Sequence, residues 1–292
     1  MQLAYLGLGA MGRPMAAHLA AAYPTAVWNR TTSVAEAHAA ASGASVVPRL
    51  EDLPPVDVVC SCLPTDREVA TVVETVAPRL RRGTVWLDHT SGAPDGARAL
   101  AARLGELGVH YLDAPVSGGT AGAEAGTLTV MVGGDAAVLA EVEGVLDAVA
   151  ARVLHVGPVG AGMAVKAVNN ALLATSLWAA GEGLVALVAQ GVDPRDALEV
   201  IATSSGRSFA VESLIPERVL DRSFPHTFAL DLLAKDVHLA SGVLASSGVD
   251  GEVLALVDRL TAAAAVALPG ADHVELLRVI ERASGVEIAS VE

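Results

Sequence analysis

The chain carries its positive charge almost entirely on arginine. Of 19 cationic residues, only Lys166 and Lys235 are lysine. An arginine keeps its proton in any protein setting, whereas a lysine amine can be tuned toward neutrality by burial or a neighbouring cation. Two amines kept in such a background are candidates for proton transfer. Lys166 stands in "GMAVKAVNN" (162–170), a helical pattern that puts Asn170 on the same face one turn later. Asn169 points about 100° away and is assigned to packing or capping.

A second chemistry-bearing stretch is "LAYLGLGAMGRPMAAHLA" (3–20), an apolar run followed by G-x-G-x-x-G and a helical pattern. Directly after a first strand, this spacing reads as a pyrophosphate loop made by Gly7, Leu8, Gly9, Ala10, Met11 and Gly12. The glycines permit a tight turn and close backbone approach, and the helix start offers N–H groups to an anion. The end of the next apolar run reads "VWNRTT". Where NAD binders usually place a carboxylate for the ribose hydroxyls, this chain has Asn29, Arg30 and Thr31, which favours NADP, with NAD as the alternative. "PVSGG" offers the Ser117 hydroxyl and the following glycine amides as a small anion nest. No G-x-S-x-G elbow surrounds that serine, so a nucleophile is not expected. Asp113, in "DAPV", reads as a hydrogen-bonding residue at a strand end.

These residues need elements to hold them. Short apolar runs at 3–8, 25–29, 56–63, 84–89, 109–116, 127–134 and 152–157 alternate with Ala- and Leu-rich helical segments. That alternation implies crossover units and a mostly parallel sheet covered on both faces. Beyond residue 160 the pattern is almost wholly helical. The expected division is 1–159 and 160–292. The apolar stretch at 171–190 contains Glu182 and reads as a long helix buried on most sides, in a core or a subunit interface. Cys60 and Cys62 fall on one face of a buried strand as core thiols. The scattered histidines form no metal-binding spacing, so no metal is expected. His238 reads as a satisfied helix histidine. A net charge of −14 argues against nucleic acid and anionic membranes as partners. The N-terminus has no basic flank before its apolar run, so no signal peptide is read there and the cytoplasm is the expected location.

Four blocks carry a resemblance: "GLGAMGRPMA" (7–16), "DAPVSGGTAGAEAGTLTVMVGG" (113–134), "GPVGAGMAVKAVNNAL" (157–172) and "AKDVHLA" (234–240). On these the chain resembles the β-hydroxyacid dehydrogenase family over nearly its whole length, and within it the 3-hydroxyisobutyrate dehydrogenases. The resemblance implies an α/β fold, with an N-terminal Rossmann-type doubly wound sheet followed by a C-terminal all-α domain for substrate and oligomerisation. It implies that Lys166 is the catalytic lysine and Asn170 its partner, and that Ser117, Gly118 and Gly119 hold the substrate carboxylate. It places Lys235 near the nicotinamide and substrate, and Leu63, Pro64 and Thr90 beside the cofactor. Such a lysine stabilises a developing alkoxide and exchanges its proton, a task helped by a pKa below the ordinary ~10.4.

The expected activity is NADP-dependent interconversion of 3-hydroxyisobutyrate and methylmalonate semialdehyde by a homodimer or homotetramer. The same site could instead reduce glyoxylate, succinic semialdehyde or tartronate semialdehyde, with Phe209, Leu230 or Leu232 setting pocket size. A non-catalytic NADP-binding scaffold is the remoter alternative. The helical part is too short for a 6-phosphogluconate dehydrogenase.

Overall fold

The computed structural model describes residues 1–289 and divides into two compact units, Met1–Lys166 and Ala167 onward. The first unit contains, in order, β1 (Leu3–Leu6), α1 (Gly12–Ala22), β2 (Thr25–Trp28), α2 (Thr32–Ser42), β3 (Ser45–Val46), β4 (Val58–Ser61), α3 (Asp66–Val76), β5 (Val85–Asp88), α4 (Pro94–Glu106), β6 (His110–Asp113), β7 (Val116–Ser117), α5 (Gly119–Ala125), β8 (Leu128–Gly133), α6 (Ala136–Asp147) and β9 (Ala150–Gly157). The strands form one sheet in the order β3-β2-β1-β4-β5-β6-β8-β7, with β9 beside β8. From β3 to β6 every pairing is parallel. β8 runs antiparallel to β6 and β7, and β9 parallel to β8.

Strands β1, β4 and β5 are buried at every residue, which is why they read as unbroken apolar runs rather than alternating ones. One face of the sheet packs Leu3, Tyr5 and Cys60 against Met15, Leu19 and Leu146. The other packs Leu6, Val59 and Trp86 against Val69, Val73 and Leu104. This is the doubly wound, Rossmann-type arrangement. Its βα loops all leave from the carboxyl ends of the parallel strands, the edge at which such sheets bind ligands.

Two adjacent titratable groups lie inside this sheet. Burial pushes the Asp88 carboxyl up to about 6, against hydrogen bonds from Thr90, Tyr111 and Ser61. Burial pushes the neighbouring His89 imidazole down to about 4, and its Nδ1 donates to the Ala114 carbonyl at 2.7 Å. Their linkage signs oppose. Between about pH 4 and 6 the folded chain holds the Asp88 proton more tightly, so that contribution to stability falls as pH rises. Between about pH 4 and 6.5 the unfolded chain binds the His89 proton, so that contribution rises with pH. Each amounts to about 3 kcal/mol. Relative to the unmodified chain, Asp88→Asn should therefore gain about 3 kcal/mol between pH 4 and 6.5, and His89→Asn should lose a similar amount. Urea unfolding at the two pH values reads both.

Helix α7 (Ala161–Ala189) begins in the first unit and continues into the second. The compact units divide inside this helix, whose first turn is hydrogen-bonded to the end of β6 through Asp113 and the Met163 amide. The second unit adds α8 (Pro194–Ala202), α9 (Ile215–Arg218), α10 (Leu230–Ser246), α11 (Glu252–Ala267) and α12 (Leu277–Ser284). Its core joins Ala171, Leu177 and Leu184 of α7 to Ile215, Leu233, Val237, Val257 and Leu277. Trp178 Nε1 donates to Thr261 Oγ1 at 3.0 Å. The buried Asp272 gathers the amides of Thr227, Phe228 and Val274. Burial alone would raise its pKa, but His273 and those amides hold the carboxyl well below the usual carboxylate range.

Within one chain α7 is buried only in part: by length and composition it could cross a membrane, and 39% of its most apolar stretch is buried. Asn169, Leu172, Ala179, Gly183, Ala186 and Gln190 are exposed and Ser176 is partly so. They recur at alternating steps of three and four, which on a helix makes a single stripe. Apolar text cannot distinguish a face that meets its own core from one left bare.

Candidate active site

The glycine loop follows β1 directly. Gly7 adopts φ +101°, and a Cβ there would collide with the Cys62 carbonyl and with Leu63 Cδ2. A Cβ at Gly12 would collide with the Gly7 carbonyl. Both positions need glycine for the protein's own packing. Gly9 is different: a Cβ there would meet nothing within 4 Å, and Gly9 and Ala10 are exposed. Helix α1 starts with no side-chain cap and no acid in its first turn. An uncovered helix start, next to a glycine that the protein itself does not require, fits a dinucleotide pyrophosphate. The Leu8 amide donates to Asn29 Oδ1 at 3.1 Å, and Asn29 Nδ2 donates to the Thr31 carbonyl at 3.2 Å. Asn29 thus ties the end of β2 to the loop, leaving Arg30 and Thr31 exposed. Arg30 also contributes to lowering the Glu68 pKa, after the larger effect of the Thr65 hydroxyl bond.

The next loop along the same sheet edge follows β4. The Leu63 amide donates to Thr90 Oγ1 at 3.1 Å, so Leu63 and Thr90, placed beside the cofactor by resemblance, are joined, and Pro64 follows in the same turn. Asp66, in the first turn of α3, accepts the Ala93 amide at 2.7 Å just ahead of α4.

Asp113 ends β6. Its Oδ1 accepts the Gly160 amide at 2.7 Å and its Oδ2 the Met163 amide at 2.9 Å. It is fully buried, and burial raises its pKa against the pull of those amides. One carboxylate therefore fixes the start of α7, one turn before Lys166, to the strand that leads into Ser117. Gly118 and Gly119 follow at φ +132° and +63°, backbone that a side-chain-bearing residue adopts only with strain. Asp113→Ala would strip the acceptor from two buried amides, at a cost of about 2–3 kcal/mol. The expected fall in thermal midpoint is on the order of 5–10 °C, measured by calorimetry.

Lys166 is half-buried on α7, while Asn170, one turn on, is buried. Within the second unit Asn170 Nδ2 donates to Asp236 Oδ2 at 2.6 Å, and Asn169 Nδ2 donates to Asn170 Oδ1 at 3.1 Å. Asn169, given only a packing or capping role from sequence, helps to set this amide. Lys235 Nζ lies 3.2 Å from Asp236 Oδ1, an ion pair. Asp236 is buried, joins Asn170 to Lys235, and was missed. Its signal was an acid among apolar residues of "AKDVHLA", where a buried charge must have partners.

One reading holds and one changes. His238, on α10, is the satisfied helix histidine expected, its Nδ1 3.1 Å from Asp258 Oδ2, with its side chain mostly exposed. Leu230 belongs to the buried core and is removed from the pocket-setting candidates; Phe209 and Leu232 are exposed. Among the described residues no group of histidines, cysteines and carboxylates could hold a metal.

Such a sheet, with its glycine loop and a helical second unit, defines a dinucleotide-dependent oxidoreductase. Residues 2–157 match the NAD-binding domain of 6-phosphogluconate dehydrogenase, and residues 160–280 the NAD-binding model of NADP-dependent 3-hydroxyisobutyrate dehydrogenase. The chain is 35% identical over 297 residues to the 2-(hydroxymethyl)glutarate dehydrogenase of Eubacterium barkeri, covering 99% of this chain and 98% of that one. It is 36% identical over 249 residues to the NAD-dependent L-serine dehydrogenase of Pseudomonas aeruginosa, covering 82% and 84%. The Mycobacterium tuberculosis 3-hydroxyisobutyrate dehydrogenase solved with L-serine superposes with TM-score 0.89 at 31% identity, covering 96% of this chain and 98% of that one. The chain belongs to the NAD(P)-dependent β-hydroxyacid dehydrogenase family.

Proposed function

We propose that the protein interconverts a 2-substituted 3-hydroxypropanoate and its semialdehyde with NADP, and that 3-hydroxyisobutyrate is the first substrate to test. The three substrates in the relatives' names share one chemical unit: a primary alcohol on the carbon next to a carboxylate-bearing centre. They differ only in what else that centre carries. Bound nicotinamide supplies the hydride chemistry. Lys166 takes the hydroxyl proton as the alcohol is oxidised, and returns it to the alkoxide in reduction. Asn170, its amide set by Asp236, orients the same oxygen. Ser117, Gly118 and Gly119 hold the carboxylate through a hydroxyl and backbone amides. Lys235 adds positive charge toward substrate and cofactor. The observation that carries this reading is the Asp113 clamp, which anchors the start of the Lys166 helix to the strand leading into the Ser117 turn.

A 340 nm assay tests it, with both cofactors and a panel of 3-hydroxyisobutyrate, L-serine, 2-(hydroxymethyl)glutarate, glyoxylate, succinic semialdehyde and tartronate semialdehyde. Turnover of the 3-hydroxypropanoates supports the proposal. Cofactor binding without turnover of any member would leave a scaffold. The NADP preference rests on Arg30 at the end of β2. Arg30→Ala should raise the KM for NADP by about 10–100-fold, the worth of a charge-assisted hydrogen bond, and leave the KM for NAD nearly unchanged.

We further propose that the bare stripe of α7 is a self-association face, giving a homodimer or a tetramer built from it. Small residues at Ser176, Ala179, Gly183 and Ala186 would let two such helices approach closely. Ala179→Glu should yield a monomer in analytical ultracentrifugation.

A further inference from the structure

Asp88 has no part in the chemistry above, yet it is fully buried at the end of β5 and gathers donors from both neighbouring strands and from the loop that follows its own. Ser61 Oγ, from β4, donates to Asp88 Oδ1 at 2.9 Å. Tyr111 Oη, from β6, donates to Oδ2 at 2.9 Å. The Thr90 amide donates to Oδ1 at 3.1 Å. Two of these directions are forced: a backbone amide only donates, and Trp86 Nε1, a donor only, sits 2.9 Å from Ser61 Oγ, so the serine proton must point to Asp88. With Tyr111 donating to Oδ2, the ionised carboxylate is an acceptor at all three contacts.

The chain of contacts continues outward. Thr90, gripped through its backbone amide, accepts the Leu63 amide on Oγ1, so its own hydroxyl proton points elsewhere. Leu63 Cδ2 and the Cys62 carbonyl in turn define the space that only glycine fits at position 7. A buried anion is thus linked, through Thr90 and Leu63, to the first glycine of the phosphate loop. We propose that Asp88 is a positioning residue for cofactor binding, acting through Thr90 on Leu63 and the glycine loop.

This rests on the dinucleotide reading of the loop, and the experiment separates the two. NADPH affinity is measured directly, by fluorescence titration of the folded protein without substrate, for the unmodified chain, Asp88→Asn, Thr90→Val, the double variant and Tyr111→Phe. If the unmodified chain binds no NADPH, the dinucleotide reading fails and the proposal goes with it. Given binding, Asp88→Asn should weaken it about fivefold to tenfold, as charge-assisted bonds become neutral ones. Because Asp88 acts through Thr90, the double variant should bind no more weakly than Thr90→Val alone. Tyr111→Phe removes a donor from the oxygen that does not hold Thr90, and should keep the affinity within about twofold even where the midpoint of unfolding falls. Two results would overturn the proposal while leaving the dinucleotide reading intact: an Asp88→Asn variant with altered stability but unchanged affinity, or additive losses in the double variant.

Discussion

Replacing Lys166 with alanine is expected to lower kcat by about 10²–10⁴, the usual worth of a positioned acid–base group, while NADPH binding stays within about twofold. The two parts belong together. The lysine sits on α7, whereas the cofactor loop is built by β1, β2 and β4, with its own hydrogen bonds at Asn29 and Thr90. Lys166→Arg separates charge from proton transfer. A guanidinium can still stabilise an alkoxide, but it cannot lose a proton at working pH. The arginine variant should therefore recover little of the lost rate of alcohol oxidation. Steady-state kinetics at 340 nm, with cofactor affinity by titration, checks both variants.

The second large effect is expected at Asp236. Asp236→Ala removes the acceptor that Asn170 meets at 2.6 Å and the partner of Lys235. Breaking a buried charge cluster from one side costs about 3 kcal/mol, because the groups left behind stay desolvated. Urea unfolding should show that loss. Activity should fall by about tenfold beyond it, because an unanchored Asn170 amide no longer presents one orientation to the substrate. Asp236→Asn keeps an oxygen able to face Asn170 and should retain most of the stability. Comparing the two variants separates the hydrogen bond from the charge.

Much of this was legible in the sequence for definite physical reasons. Strands buried on both faces must be unbroken apolar runs, so β1, β4 and β5 announced themselves. β3, with only Ser45 and Val46, is too short to carry a pattern. The turn from β6 through β7 into β8 was visible as a run of small residues, but nothing in its composition shows that the sheet there becomes antiparallel. The glycine loop was readable because spacing and context coincide. The separate duties of its glycines were not, since Gly7 and Gly12 answer to protein atoms and Gly9 does not. Asp88 and Asp236 were overlooked as single acids inside apolar text, although such acids are where a buried network must form. Leu230 was misplaced because a leucine facing the core and one facing a pocket look alike without coordinates.

The central claim is that the Lys166 amine carries the proton of the hydroxyacid. Its most direct test is the pH profile of kcat for alcohol oxidation, at saturating cofactor, in the unmodified protein and in Lys166→Ala. The account predicts a rate that rises as one group loses its proton in the unmodified protein, and a residual rate in the variant from which that limb has vanished. A variant that kept the same limb at the same pH would assign the proton to another group and contradict the account.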